Sequence, residues 1–169
     1  MKTKKLVLMA LFIVIEIVFT RFVSINTPIT RVGFSFVPMA IAGYMMGVFN
    51  AGIIALIADL IGATLWPSGP YFIGFSISAF LTGAAYGILK GKEDIWKWMI
   101  VVALFNTFIV NIGLNTWWLQ IMYGKTWDIL LPPRIGKALF ILPIKVLING
   151  KVLTVLKNHK SLQNEINSL

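Results

Sequence analysis

Long apolar segments separated by short polar loops are the feature that most constrains how this chain can fold. The first segment is "LVLMALFIVIEIVF", residues 6–19, and similar segments recur almost to the end of the sequence. Mean hydropathy is +0.85, and only 12% of the residues are charged. These values lie outside the range of soluble globular domains, and the long apolar runs are typical of membrane-spanning helices. The sequence therefore predicts an all-α integral membrane protein.

Six transmembrane helices can be drawn within a single domain that covers residues 1–169. Their approximate bounds are 6–22, 34–48, 51–66, 71–89, 98–122 and 134–156. The second and third are short for a bilayer whose hydrocarbon core is roughly 30 Å thick. The first apolar run is too long for a signal peptide and no A-x-A cleavage site follows it, so we expect a retained helix. A polar tail begins at about residue 157.

The distribution of lysine predicts the orientation. With six spans both termini lie on one side, together with the charged loop of residues 90–97, and this side holds nine lysines. The positive-inside rule makes it the cytoplasm, which explains much of the net charge of +9 without a nucleic-acid partner. Six cations are left on the outer side or at membrane depth, where they need a local reason: Arg21, Arg31, Lys125, Arg134, Lys137 and Lys145.

Three of these cations lie in "LPPRIGKALFILPIK", residues 131–145. We expect the proline pair to begin the sixth helix. Arg134 and Lys137 would then share a face of its first turn, where the free N–H groups and the helix dipole favour a carboxylate or phosphate. The alternative is that both side chains extend to the outer interface. Lys145 lies deeper, and we expect it to act as a structural counter-charge for an acidic residue.

Glu16 and Asp59 are the acidic residues at membrane depth. Glu16 lies about 16 Å beyond Lys5 along the first helix, at 1.5 Å per residue. Each acid could pair with Lys145 or could accept hydrogen bonds from the N–H groups of a ligand. Asn115 in the fifth span adds a polar group of the kind that either binds a ligand or joins helices.

Aromatic residues surround the third loop, in "WPSGPYFIGFS" from residue 66 to residue 76. Trp66, Tyr71 and Phe75 could form an interfacial belt, or they could be the walls of a site for a planar ring. The first loop adds Arg31 and Phe36 in "RVGFSF". Because the first, third and fifth loops all lie on the predicted outer side, we expect an outward-facing pocket for an anionic aromatic molecule.

Several kinds of chemistry are not supported by the sequence. The chain has no cysteine and one histidine, His159, so we expect no structural metal site and no cofactor. We find no Walker A motif and no pattern of catalytic residues. We therefore expect a protein that is not an enzyme, and any ATP hydrolysis would belong to another subunit.

Four segments resemble the folate-specific S components of energy-coupling factor (ECF) vitamin transporters: "RVGFSFVPMAIAGYMMG", "ADLIGATLWPSGPYFIGFSISAFLTGAAYG", "LNTWWLQIMYGK" and "LPPRIGKAL". The similarity covers nearly the whole chain. It implies capture of folate or a related pterin at the outer face of a bacterial plasma membrane, with the pterin among aromatic residues and the glutamate tail near cations. The "PRIGK" match assigns that basic pair to Arg134 and Lys137. The chain departs from the family where Val14 follows Ala10, since S components often have Ala-x-x-x-Ala there.

The resemblance also implies partners, namely a transmembrane coupling subunit and two cytoplasmic ATPases. The alternatives are an S component for another vitamin or precursor, a membrane enzyme that acts on anionic headgroups, and a scaffold subunit without a ligand. The residues that we predict to bind the substrate are Glu16, Arg31, Phe36, Asp59, Trp66, Tyr71, Phe75, Asn115, Arg134 and Lys137.

Overall fold

A computed structural model describes residues 2–26, 31–67 and 69–159. These residues form six helices, which confirms the predicted fold class. They are α1 (Lys2–Arg21), α2 (Phe36–Met46), α3 (Val48–Leu65), α4 (Ile73–Gly87), α5 (Ile95–Tyr123) and α6 (Trp127–Asn158). The first loop adds two short antiparallel strands that the sequence did not predict, β1 (Ser24–Asn26) and β2 (Arg31–Gly33). Most of the predicted polar tail lies outside the described residues.

The six helices differ in how well their length matches a bilayer. Among the described residues α3, α5 and α6 are long and apolar enough to span a membrane. α2 and α4 are also apolar but have only 11 and 15 residues, or about 16 and 22 Å of helix at 1.5 Å per residue. They are shorter than the bilayer core, and the first and third loops complete the bundle at the end where these two helices begin.

The predicted start of the sixth helix at Arg134 is wrong. α6 begins at Trp127 and includes Pro132 and Pro133 within its length. Proline keeps a helical φ and removes only its own N–H donor, and the buried Leu130 fixes the preceding turn against the bundle. Arg134 therefore lies about 10 Å inside the helix, at 1.5 Å per residue. The argument that unpaired N–H groups and the helix dipole attract an anion to this residue no longer applies.

The middle of α5, Phe105–Leu114, is a π-helix. Within it the Asn111 side-chain nitrogen donates to the Asn106 carbonyl oxygen over 2.6 Å. Asn106 is fully buried in the bundle, whereas Asn111 and Asn115 reach the cavity described below. The π-helix thus carries polar groups both into the helix packing and toward the cavity.

Close packing of α3 against α4 makes Gly83 a sensitive position. A Cβ atom at Gly83 would meet the Ala51 carbonyl oxygen and would lie 2.8 Å from the Ala55 Cβ. We expect Gly83→Ala to lower the free energy of unfolding by about 1–3 kcal/mol, the usual effect of overpacking. Gly136→Ala is the control, since a Cβ there meets nothing within 4 Å, and helix propensity should make it neutral or stabilising. Thermal unfolding in detergent measures both, and equal effects would contradict the packing argument.

Candidate functional site

A cavity of about 330 Å³ lies at the end of the bundle where α1, α3 and α5 end and α2, α4 and α6 begin. This volume is within the range of small-molecule sites. Loops one, three and five lie at the same end, as the sequence analysis predicted for a pocket. Acidic, basic, aromatic and amide side chains line the cavity, among them Glu16, Asp59, Arg21, Arg134, Tyr71, Phe72, Phe75, Tyr123, Asn111 and Asn115. It therefore combines opposite charges with flat apolar surfaces.

A polar network joins three helices and the third loop at one side of the cavity. The Ser76 hydroxyl donates to the Asp59 carboxylate over 2.7 Å and lies 2.8 Å from the Tyr71 hydroxyl. Arg21 Nη2 lies 4.0 Å from the other Asp59 oxygen, and its side chain is only 5% exposed. Arg21 Nη1 also donates to the Trp66 carbonyl oxygen over 3.1 Å. Asp59 is thus both oriented and charge-compensated by neighbouring residues.

Glu16 lines the cavity from α1. The Thr20 hydroxyl, one turn later, lies 3.3 Å from its carboxylate and 2.5 Å from its backbone oxygen. The expectation that Lys145 balances Glu16 or Asp59 is wrong. Among the described residues Lys145 forms no ion pair with a carboxylate, and its ammonium lies 5.8 Å from the centroid of the Phe36 ring. The position of Lys145 on α6 turns its side chain toward the start of α2, and Asp59 pairs with a cation of α1 instead.

Arg134 reaches the cavity from α6. Its Nη1 donates to the Asn111 carbonyl oxygen over 2.6 Å and lies 3.3 Å from the Thr116 hydroxyl. Both acceptors belong to α5, so the irregular helix and α6 together hold the guanidinium in place. A guanidinium anchored at one edge presents the rest of its planar fork in a fixed direction, which suits recognition of a carboxylate.

The predicted binding residues fall into two groups. Six of them line the cavity, namely Glu16, Asp59, Tyr71, Phe75, Asn115 and Arg134. Phe36 does not, because it is buried in the hydrophobic core. Trp66 is 44% exposed and its ring contacts Phe22 at 5.4 Å between centroids. Arg31 pairs through its backbone with Asn26, and its side chain lies outside the described part of the structure. Whether the residues bind a ligand remains a prediction.

Lys137 lines a second, smaller cavity between α5 and α6, which we call the side cavity. Its volume is about 70 Å³. Arg134 and Asn111 line both cavities, so they form the boundary between them. The predicted basic pair is therefore shared out, with one residue at the boundary and the other behind it.

Sequence reasoning did not assign four of the polar and aromatic residues that build the site. Arg21 was noted as an unexplained cation, and Ser76 was passed over although it closes the "WPSGPYFIGFS" segment. The Phe72 ring lines the cavity and packs against Trp118 at 5.6 Å between centroids. The Trp118 indole nitrogen donates to the Ser78 hydroxyl over 3.0 Å, which fixes the ring. The dense aromatic spacing of these segments was the available signal for Phe72 and Trp118.

Known proteins resemble this chain over most of its length. A folate transporter FolT from Clostridium novyi (strain NT) is 40% identical over 149 residues, which are 87% of this chain and 86% of that protein. A second folate transporter FolT, from Leuconostoc mesenteroides subsp. mesenteroides, is 32% identical over 164 residues, or 90% of this chain and 88% of that protein. A crystal structure of FolT bound with folic acid superimposes with a TM-score of 0.83 at 37% identity, covering 87% of this chain and 90% of that one.

The sequence pattern of one protein family matches nearly the whole membrane domain. This family is described as the ECF transporter substrate-specific component, and the match covers residues 4–150, which include all six helices except the last turns of α6. A match of this extent, together with relatives at 40% and 32% identity, fixes the family. The chain belongs to the substrate-specific (S) components of ECF transporters.

Proposed function

We propose that this S component captures folate at the extracellular face of a bacterial plasma membrane. It would pass the vitamin inward in a complex with a transmembrane coupling subunit and two cytoplasmic ATPases. Support comes from the two relatives named as folate transporters and from the similar structure that holds folic acid. The partners follow from membership of the ECF family.

The observation that carries the proposal is the combination of groups in the 330 Å³ cavity. A pterin has a flat aromatic ring with N–H donors, and its glutamate tail carries carboxylates. The cavity provides carboxylate acceptors in Glu16 and Asp59, aromatic walls in Tyr71 and Phe75, and the guanidinium of Arg134. Each part of the ligand thus meets groups of complementary chemistry. Another vitamin would need a different arrangement of acceptors and cations.

The direct experiment is to purify the chain from cells and identify any small molecule released on denaturation. We expect the absorption and fluorescence spectrum of a pterin. An S component for another vitamin would release a different compound, and a protein without a ligand would release none, so either result would contradict the proposal. Added folic acid should then raise the unfolding temperature of the emptied protein.

The aromatic wall of the cavity gives a prediction with a built-in control. We expect Phe75→Ala to raise the Kd for folic acid roughly 2- to 12-fold, since an aromatic contact contributes about 0.5–1.5 kcal/mol beyond area burial. Trp66→Ala should leave the Kd nearly unchanged, because the Trp66 ring packs on Phe22 outside the cavity. Fluorescence titration of both variants is the measurement. An equal loss in the two would mean that the aromatic residues act through the fold.

The orientation of the chain is a further prediction. We expect both termini and the residue 90–97 loop to face the cytoplasm, because of their lysine content. The cavity, at the opposite end, would then open to the outside. Reporter fusions at the two termini and within this loop measure the orientation, and a loop found outside would overturn the prediction.

A further inference from the structure

The side cavity between α5 and α6 has the size of a site for a small chemical group. Its volume of about 70 Å³ compares with the roughly 10–15 Å³ of such space that one water molecule needs. It can therefore hold several waters or one small oxyanion. Its lining consists of Thr107, Asn111, Ile112, Arg134, Lys137, Ala138, Ile141, Leu142 and Lys145.

The charge of this lining is of one sign. Arg134, Lys137 and Lys145 are cations, and no acidic residue lines the side cavity. Lys137 and Lys145 are separated by about 12 Å along the helix axis, so their flexible four-carbon side chains can meet on one group between them. Like charges repel strongly where water is scarce, and a bound anion would turn that repulsion into attraction.

A neutral donor also faces the side cavity. The Thr107 hydroxyl is 4% exposed and has no hydrogen-bond partner in the described part of the chain. Buried polar groups nearly always have a partner, so such a hydroxyl indicates an unseen acceptor or water. The Asn111 amide nitrogen is already used by the Asn106 carbonyl oxygen. Thr107 therefore remains as the neutral donor available to a bound group.

We infer that the side cavity is an anion site in which Lys137, Lys145 and Thr107 bind a carboxylate or phosphate group. Two sources share this chemistry. One is the headgroup of an anionic lipid that lies along the seam between α5 and α6, where Phe108 and Leu139 are exposed on the surface. The other is a carboxylate of a molecule in the main cavity that extends past Arg134, and only this source rests on the proposed function.

Three arms of one experiment separate the sources. The first compares the vitamin-free protein in nanodiscs of phosphatidylcholine and of phosphatidylcholine mixed with phosphatidylglycerol, by unfolding temperature and by lipid retained in native mass spectrometry. The second adds inorganic phosphate in detergent, against chloride at equal ionic strength. The third compares the affinities of folic acid and of pteroic acid, which lacks the glutamate tail. The first two arms contain no vitamin, so their result does not depend on folate binding.

The variants are Lys145→Gln, Lys137→Gln and Thr107→Val. Lys125→Gln is the matched control, because Lys125 is an exposed cation at the same end of the bundle and lines neither cavity. In the arm that names the source, we expect Lys145→Gln and Lys137→Gln each to weaken anion binding about tenfold or more. Thr107→Val should weaken it less, and Lys125→Gln should not change it.

The response assigns the source of the anion. A preference for phosphatidylglycerol or phosphate that Lys145→Gln removes supports a phosphate site. A preference for folic acid over pteroic acid that Lys145→Gln removes supports a carboxylate site for the ligand. If the wild type shows no anion preference in any arm, or if the control loses as much as Lys145→Gln does, the side cavity is not an anion site.

Discussion

Replacing Arg134 with alanine is expected to weaken folic acid binding about 10- to 150-fold. The reason is the loss of a charge-assisted hydrogen bond to the glutamate tail, worth about 1.5–3 kcal/mol. The guanidinium faces the main cavity, and its Nη1 is fixed by the Asn111 carbonyl oxygen at 2.6 Å. Arg134→Lys should also weaken binding, since an ammonium does not offer the planar fork that matches a carboxylate. Titration with folic acid and with pteroic acid measures the effect.

The comparison of the two ligands makes this prediction specific. Arg134→Ala should hardly change the affinity for pteroic acid, and Lys125→Ala, which removes an exposed cation from the fifth loop, should change neither affinity. Lys137→Ala is predicted to act on folic acid as well if the tail carboxylate reaches the side cavity. An equal loss for both ligands in Arg134→Ala would mean that this residue contacts the ring end or only supports the fold.

The second large effect is expected on stability. Asp59→Ala should lower the free energy of unfolding by about 3 kcal/mol, at the lower end of the 3–5 kcal/mol for breaking a buried ion pair, because the pair is 4.0 Å apart. The substitution deprives the nearly buried Arg21 of its carboxylate and removes the acceptor of the Ser76 hydroxyl. Denaturant or thermal unfolding of the purified protein without ligand measures the loss.

An exposed ion pair offers the matched control for Asp59. Lys97 and Asp94 approach to 3.2 Å, closer than Arg21 and Asp59, but their side chains are 82% and 66% exposed. Asp94→Ala should therefore cost less than about 1 kcal/mol, as surface pairs usually do. If both substitutions cost the same, the cavity around Asp59 is as well solvated as the surface, and the pair does not stabilise the bundle.

The sequence predicted the helices well because each depends on local properties of the chain. Five of the six predicted helices agree with the structure to within a few residues, since an apolar run and its flanking Gly, Pro and charged residues are visible in the sequence itself. The sixth failed at its start because two prolines, read as a helix beginning, lie inside α6. The packing of Leu130 against the bundle decides this point, and no local signal reports it.

The residue types of the site were also readable, because charged residues at membrane depth require a reason. Their partners were not readable. The pairing of Asp59 with Arg21 and the position of Lys145 near Phe36 join helices far apart in the sequence.

By itself the sequence determined the class of the protein, the number of its helices and the end of the bundle that carries the pocket, because these follow from hydropathy and charge along the chain. Only the tertiary structure decided which cations face which cavity. The rotation of each helix about its axis is set by packing against its neighbours, and that rotation separates Arg134, at the boundary of two cavities, from Lys137 behind it.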